Sequence, residues 1–122
     1  MRAYTLAREI LDAAWVDAKM LSSDSLTIDI ARQLYAAVAS IAANLAEAYS
    51  RSSGKDRAHI FEYALGSVRE SMVFYRAGKH VLGDVAKERL NKLEEIRRLL
   101  LATIPREREK TIRPKNRPGL AK

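Results

Sequence analysis

The chain reads as all-α, an antiparallel up-down-up-down four-helix bundle, and three observations carry that expectation. Its 122 residues hold three prolines, all at or beyond Pro105, and five glycines, all from Gly54 onward, so nothing interrupts the first half. The stretches between breaks are rich in Ala, Leu, Arg and Glu, the strong helix formers. Apolar residues return at three- and four-residue spacing in four segments of about 20 residues, joined by short breaks. A single domain of this size builds a core without disulfides or metals.

The first predicted helix covers about Arg2 to Leu21, with Ala3, Ala7, Ile10, Ala14, Ala18 and Leu21 on one face. Arg8, Glu9, Asp12 and Lys19 lie away from that face, and Ser22-Ser23-Asp24-Ser25 breaks the helix. Thr27 is placed to cap a second helix that runs to about Ser50. Ser52-Ser53-Gly54 is a turn whose serines can cap a third helix, about Lys55 to Lys79, with Phe61, Ala64, Leu65, Val68, Met72 and Tyr75 inward. Gly83 marks the next break, and Asp84 is placed to cap a fourth helix burying Leu90, Leu93, Ile96, Leu100 and Ile104. Pro105 should end it, because the residue before a proline is pushed out of helical geometry. The expected division is a bundle over residues 1–104 and a basic, flexible tail over 105–122.

The second helix is the unusual one. From Gln33 to Ala46 it runs without a charge, in a chain where 37 of 122 residues are charged. Leu34, Val38, Ile41 and Leu45 form an ordinary core stripe. The far side carries Ala36, Ala39, Ala43 and Ala46 where Lys or Glu is customary. A helix that is small or apolar all round is normally buried all round, and four helices are too few to surround one of their own. The second face is therefore expected to meet another copy of the chain, giving a homo-oligomer.

Polar residues border this face. Ser40, Asn44, Glu47 and Arg51 are spaced four, three and four apart, along one edge of the second helix. Gly66, Ser67 and Glu70 lie off the core face of the third, beside Tyr63 and Phe74. One reading is a solvated flank with a Glu47–Arg51 pair contributing a few tenths of a kcal/mol. The other is a buried or half-buried network between helices or subunits, with Gly66 permitting close approach.

The net charge is +7 and unevenly spread. Residues 1–104 hold 15 Lys and Arg against 13 Asp and Glu, whereas residues 105–122 hold seven against two. Pro114, Pro118 and Gly119 argue against helix there. Multiplied over several subunits, such arms would form a strong field for polyanions. Arg106, Arg108, Lys110, Arg113, Lys115 and Arg117 are the candidate phosphate contacts, with Lys55 and Arg57 on the body. A solubilising extension, or docking onto a protein partner or neighbouring subunit, are the alternatives for the tail.

The segment IARQLYAAVASIAANLAEAYSRSSGKDRAHIFEYALGSVRE resembles the four-helix-bundle family first noticed as open reading frames in intervening sequences of bacterial large-subunit ribosomal RNA genes. The carrying residues are Gln33, Ser40, Ile41, Asn44, Glu47 and Arg51, then Phe61, Ala64, Leu65, Gly66, Ser67 and Glu70. Two positions depart from the pattern: Ala48, where the family commonly has Gly, and Ala36, where it commonly has a basic residue. The resemblance implies a homopentameric ring. It also implies kinship with the accessory variability determinant of diversity-generating retroelements, which binds a reverse transcriptase and its RNA. Any contact made by the family's basic residue is put in doubt here by Ala36.

Other chemistry finds little support in the residues. With no cysteine, disulfides and thiolate metal sites are excluded. His59 and His80 do not form the Glu-x-x-His pattern of a bundle metal site. Ser67 lies one turn from Glu70 without a His partner, which does not suit nucleophilic catalysis. Ser52-Ser53-Gly54-Lys55 lacks the spacing of a phosphate loop. No apolar run approaches the ~18 residues of a membrane span, and Glu9 with Asp12 spoil a signal peptide. The expectation is a cytoplasmic, non-catalytic bundle without cofactor, binding nucleic acid, RNA before DNA, with a structural or protein-interaction scaffold as the alternative.

Overall fold

The computed structural model describes residues 1–112, which form five helices and, among the described residues, no strand. These are α1 (Arg2–Ser22), α2 (Ile28–Tyr49), α3 (Gly54–Ala77), the single turn α4 (Lys79–Leu82) and α5 (Asp84–Ile112). α1 packs on α2, α2 on α3, α3 on α5, and α5 returns to α1, so the four long helices close a cycle around one core. Tyr4 near the start of α1 meets Tyr49 near the end of α2, while Trp15 meets Tyr35.

Each helix buries the stripe its periodicity announces. Ile10 and Leu21 of α1, Leu34, Val38, Ile41 and Leu45 of α2, Phe61, Val68 and Tyr75 of α3, and Leu93, Ile96 and Leu100 of α5 are almost wholly buried. Burying each large apolar side chain stabilises the fold by about 1.5–3 kcal/mol relative to leaving it exposed.

The connections differ in detail from expectation. Thr27 does precede α2, but its hydroxyl makes no capping bond; it is buried and donates to the Leu21 carbonyl at 2.7 Å, tying down the end of α1. Ser53 caps α3 as expected, accepting from the Asp56 amide at 3.0 Å. α3 stops at Ala77 because the chain turns at Gly78, where a Cβ would sit 2.7 Å from Cδ2 of the fully buried Leu21. Gly83 has φ +64°, a left-handed conformation that favours glycine, and α5 begins at Asp84 itself.

Pro105 does not end the last helix. α5 passes through it and continues to Ile112. An interior proline removes one helical hydrogen bond and costs about 3 kcal/mol or more. Pro105 and Leu101 are both exposed, so the orphaned Leu101 carbonyl lies on the solvent side and can bond water. Contacts from α3 described below hold the extension in place. The first two turns of the expected tail are thus helix, while Arg113, Lys115 and Arg117 lie outside the described residues.

Candidate oligomer and nucleic-acid surfaces

The polar edge of α2 meets that of α3 in a chain of neutral hydrogen bonds. Asn44 Nδ2 donates to the Ser40 carbonyl at 2.9 Å and to Ser40 Oγ at 3.1 Å. Ser40 Oγ lies 2.9 Å from Ser67 Oγ, and Ser67 Oγ donates to the Tyr63 carbonyl at 3.3 Å. A hydroxyl has one proton, so Ser40 is the donor to Ser67 and the chain runs Asn44 to Ser40 to Ser67 to Tyr63. Fully buried Ser71 extends it one turn by donating to the Ser67 carbonyl at 2.8 Å. Three residues singled out in the sequence are thereby joined across two helices.

Their neighbours are not part of the chain. Glu47 and Arg51 pair with each other at 2.7 Å on the surface, an exposed contact contributing little. Glu70 is exposed, and a Cβ at Gly66 would meet nothing within 4 Å. Outside the seam the face continues as Ala36, Ala43 and Ala46, all exposed, with Ala39 half-covered. Tyr63 of α3, one turn before Ser67, stands more than half exposed. Within one chain this side of α2 and α3 is small, uncharged along α2, and open.

The cationic residues gather at the end where α3 begins and α5 finishes, and several are already engaged. Arg57 Nε is 2.6 Å from Glu107 Oε1, a pair with little exposure, and its Nη1 donates to the Arg51 carbonyl at 3.1 Å. Lys110 meets Glu107 at 2.9 Å, and Arg108 pairs with Glu62. Burial works against ionisation of Glu107, but Arg57 and Lys110 outweigh it and hold the carboxyl below its usual range. The Arg57–Glu107 and Arg108–Glu62 pairs fasten the helix beyond Pro105 onto α3. Lys55 is exposed at the start of α3 and, with Arg108, lines a depression shared with Asp56, His59 and Glu62. Arg106 is exposed on the extension.

The family model described as 23S rRNA-intervening sequence protein matches residues 1–102. The chain belongs to that family. No curated protein and no solved structure matches it. The family match takes in α1 and most of α5 as well as the segment from Gln33 to Glu70 that carries the resemblance. The cationic turns from Arg106 onward lie beyond the matched residues.

Two features of this family member lie outside the residues that the sequence singles out. Asp17 is 1% exposed, accepting from Tyr75 Oη at 2.7 Å and from Arg89 Nε at 2.7 Å and Nη2 at 3.3 Å. This cluster joins α1, α3 and α5. The hydrogen bond to Asp17 raises the Arg89 pKa, and burial followed by the same carboxylate pushes the Tyr75 phenol far above its ordinary value. The signal was present: Asp17 falls between Ala14 and Leu21 on the core stripe of α1. The second is Trp15, 57% exposed, whose ring packs edge-on against Tyr35. Among the described residues no group of three His, Asp or Glu is placed to hold a metal, and no helix is long and apolar enough to cross a membrane.

Proposed function

We propose that this chain is a non-catalytic, self-assembling RNA-binding bundle. Its four long helices are read as an antiparallel up-down-up-down bundle, with copies joined through the open face of α2 and α3 into a cytoplasmic ring of five, the number the resemblance suggests. The observation that carries the assembly is that a run of fourteen uncharged residues leaves Ala36, Ala43 and Ala46 facing water in a single chain. Serine, asparagine and glycine beside them let a second backbone approach closely, and the neutral seam adds no charge to desolvate.

The net charge of +7 and the ribosomal RNA link in the family's description support RNA as the polyanion. Lys55 and Arg106 are the phosphate contacts best supported on the described surface, joined by Arg113, Lys115 and Arg117. An accessory role to the reverse transcriptase of a diversity-generating retroelement is the finer form of this reading. A reverse-transcriptase gene with a template repeat beside this one would support it, and a gene set without either would count against it. The scaffold reading is favoured by one observation: Arg57, Arg108 and Lys110 already have carboxylate partners.

Titration of a fluorescent structured RNA at low and moderate salt separates the two. The RNA reading expects affinity that falls steeply with salt. Deleting residues 113–122 removes four cations while leaving Arg57, Glu107 and Lys110 in place, and should flatten the salt slope by up to about three. No binding at low salt leaves the scaffold.

A further inference from the structure

We propose that the groove between α1 and α2 around Trp15 is a second RNA contact, where an unpaired base stacks on the indole and its flanking phosphates meet Lys19 and Arg32. The proposal rests on the RNA-binding reading above and places a recognition element on the body, away from the cationic end.

The geometry supplies what a single-stranded nucleic acid requires: an aromatic platform within reach of fixed positive charge. Trp15 and Tyr35 stand with ring centroids 5.8 Å apart and planes at 70°, so Tyr35 buttresses the indole edge-on. Lys19 holds its ammonium 5.7 Å from the indole centroid. Arg32, Ser22 and Ile28 complete the walls. Lys19 and Arg32 have no carboxylate partner among the described residues, in contrast to Arg57, Arg108 and Lys110 at the other end. Asp12 and Asp29 lie one turn away on the same helices and do not line the groove.

A Trp more than half exposed beside two unpaired cations suits an anionic, planar ligand, and charge selects RNA over a neutral apolar one. The ammonium is held on the exposed ring by a cation–π contact weak enough to exchange for a base while Lys19 turns to a phosphate. Duplex RNA keeps its bases stacked on one another and offers none to the indole, so the site selects unpaired strands.

Trp15 is the single tryptophan of the chain, so its emission reports on this groove alone. The full-length protein is titrated with a labelled single-stranded RNA about ten nucleotides long, following RNA anisotropy and Trp emission together. Emission should be quenched in step with anisotropy, and a duplex of the same sequence should quench less. Trp15→Leu should weaken binding roughly 5- to 150-fold, and Trp15→Phe should keep part of the affinity. Lys19→Gln with Arg32→Gln should weaken binding and flatten the salt slope. RNA binding with unchanged emission and an unaffected Trp15→Leu overturns this site while the broader reading stands. Failure of the wild type to bind the single strand while structured RNA still binds overturns this site alone, and failure to bind either removes both. A loss of assembled mass in Trp15→Leu with affinity per subunit intact makes the groove a subunit contact and overturns the proposal.

Discussion

On the α1–α5 side, a buried carboxylate is neutralised inside the chain: Asp17 meets Arg89 and Tyr75, and Lys92 with Glu9 and Arg2 with Glu95 continue the pairing on the surface. On the α2–α3 side the polar atoms are hydroxyls and an amide, satisfied among Ser40, Asn44 and Ser67, with exposed alanines around them. The first side is electrostatically complete as one chain. The second satisfies its hydrogen bonds yet leaves the uncharged stretch of α2 around Ala36, Ala43 and Ala46 uncovered. Complementary charges suit a contact made once, within the fold, because the buried ions must always be paired. Neutral small groups suit a contact that is made and unmade, since water solvates them at low cost when the partner is absent.

Breaking the first side should have the largest effect on folding. Asp17→Ala removes the buried acceptor of Tyr75 and leaves Arg89 only its exposed partner Glu88, and urea unfolding should register a loss of about 3–5 kcal/mol. Asp17→Asn, which keeps an acceptor for Tyr75, should lose less. A destabilisation under ~1 kcal/mol by Asp17→Ala would show that the cluster is not the anchor of that side.

The Arg57–Glu107 pair is a smaller version of the same device. Arg57→Ala should cost about 1–3 kcal/mol and release the helix beyond Pro105, read as faster amide exchange at Arg106 to Lys110 with α2 unchanged. Acid should act on the same helix. The Glu94 and Glu95 carboxyls are held below their usual range by Arg97 and Arg2, and Glu107 by Arg57 and Lys110 against its burial. A depressed folded pKa gives stability that is present above the ordinary carboxylate value of 4.5 and is lost as pH falls through the folded value. Hydrogen exchange below pH 4.5 should therefore loosen α5 before the neutral α2–α3 seam; equal loosening of both would erase the distinction.

Two glycines sharpen the contrast at the smallest scale. Gly78→Ala should destabilise by about 1–3 kcal/mol, because its Cβ would press on buried Leu21. Gly66→Ala has open space and should stabilise an isolated chain by roughly 0.5–1 kcal/mol through helix propensity. If the face is shared between copies, the same methyl group weakens assembly. Thermal melts at high and low protein concentration separate the two effects.

The helical framework was legible because its signal is local: the stripes on α2 and α3 are buried as their spacing requires. Ser40, Asn44 and Ser67 could be marked as an edge, but their bonding chain depends on how α2 lies against α3. Asp17 looks like an interruption of a core stripe until Arg89, 72 residues later, is placed beside it. Pro105 looks like a stop for the opposite reason: its local preference is strong, and the Arg57 and Glu62 contacts that override it reach Glu107 and Arg108 across 50 and 46 residues. Family membership could be read because the motif residues lie close together in sequence. Trp15 sits off the core stripe, and its partnership with Tyr35 comes only from the pairing of α1 with α2.

Light scattering on the wild type and Ala43→Glu tests the unfinished face most directly. The wild type should run at a multiple of its 13.7 kDa chain mass, and Ala43→Glu should fall towards one chain with its helical content intact, because a carboxylate in that contact would be buried unpaired. A monodisperse wild type at 13.7 kDa in dilute solution, or an unchanged multiple in Ala43→Glu, would contradict the account.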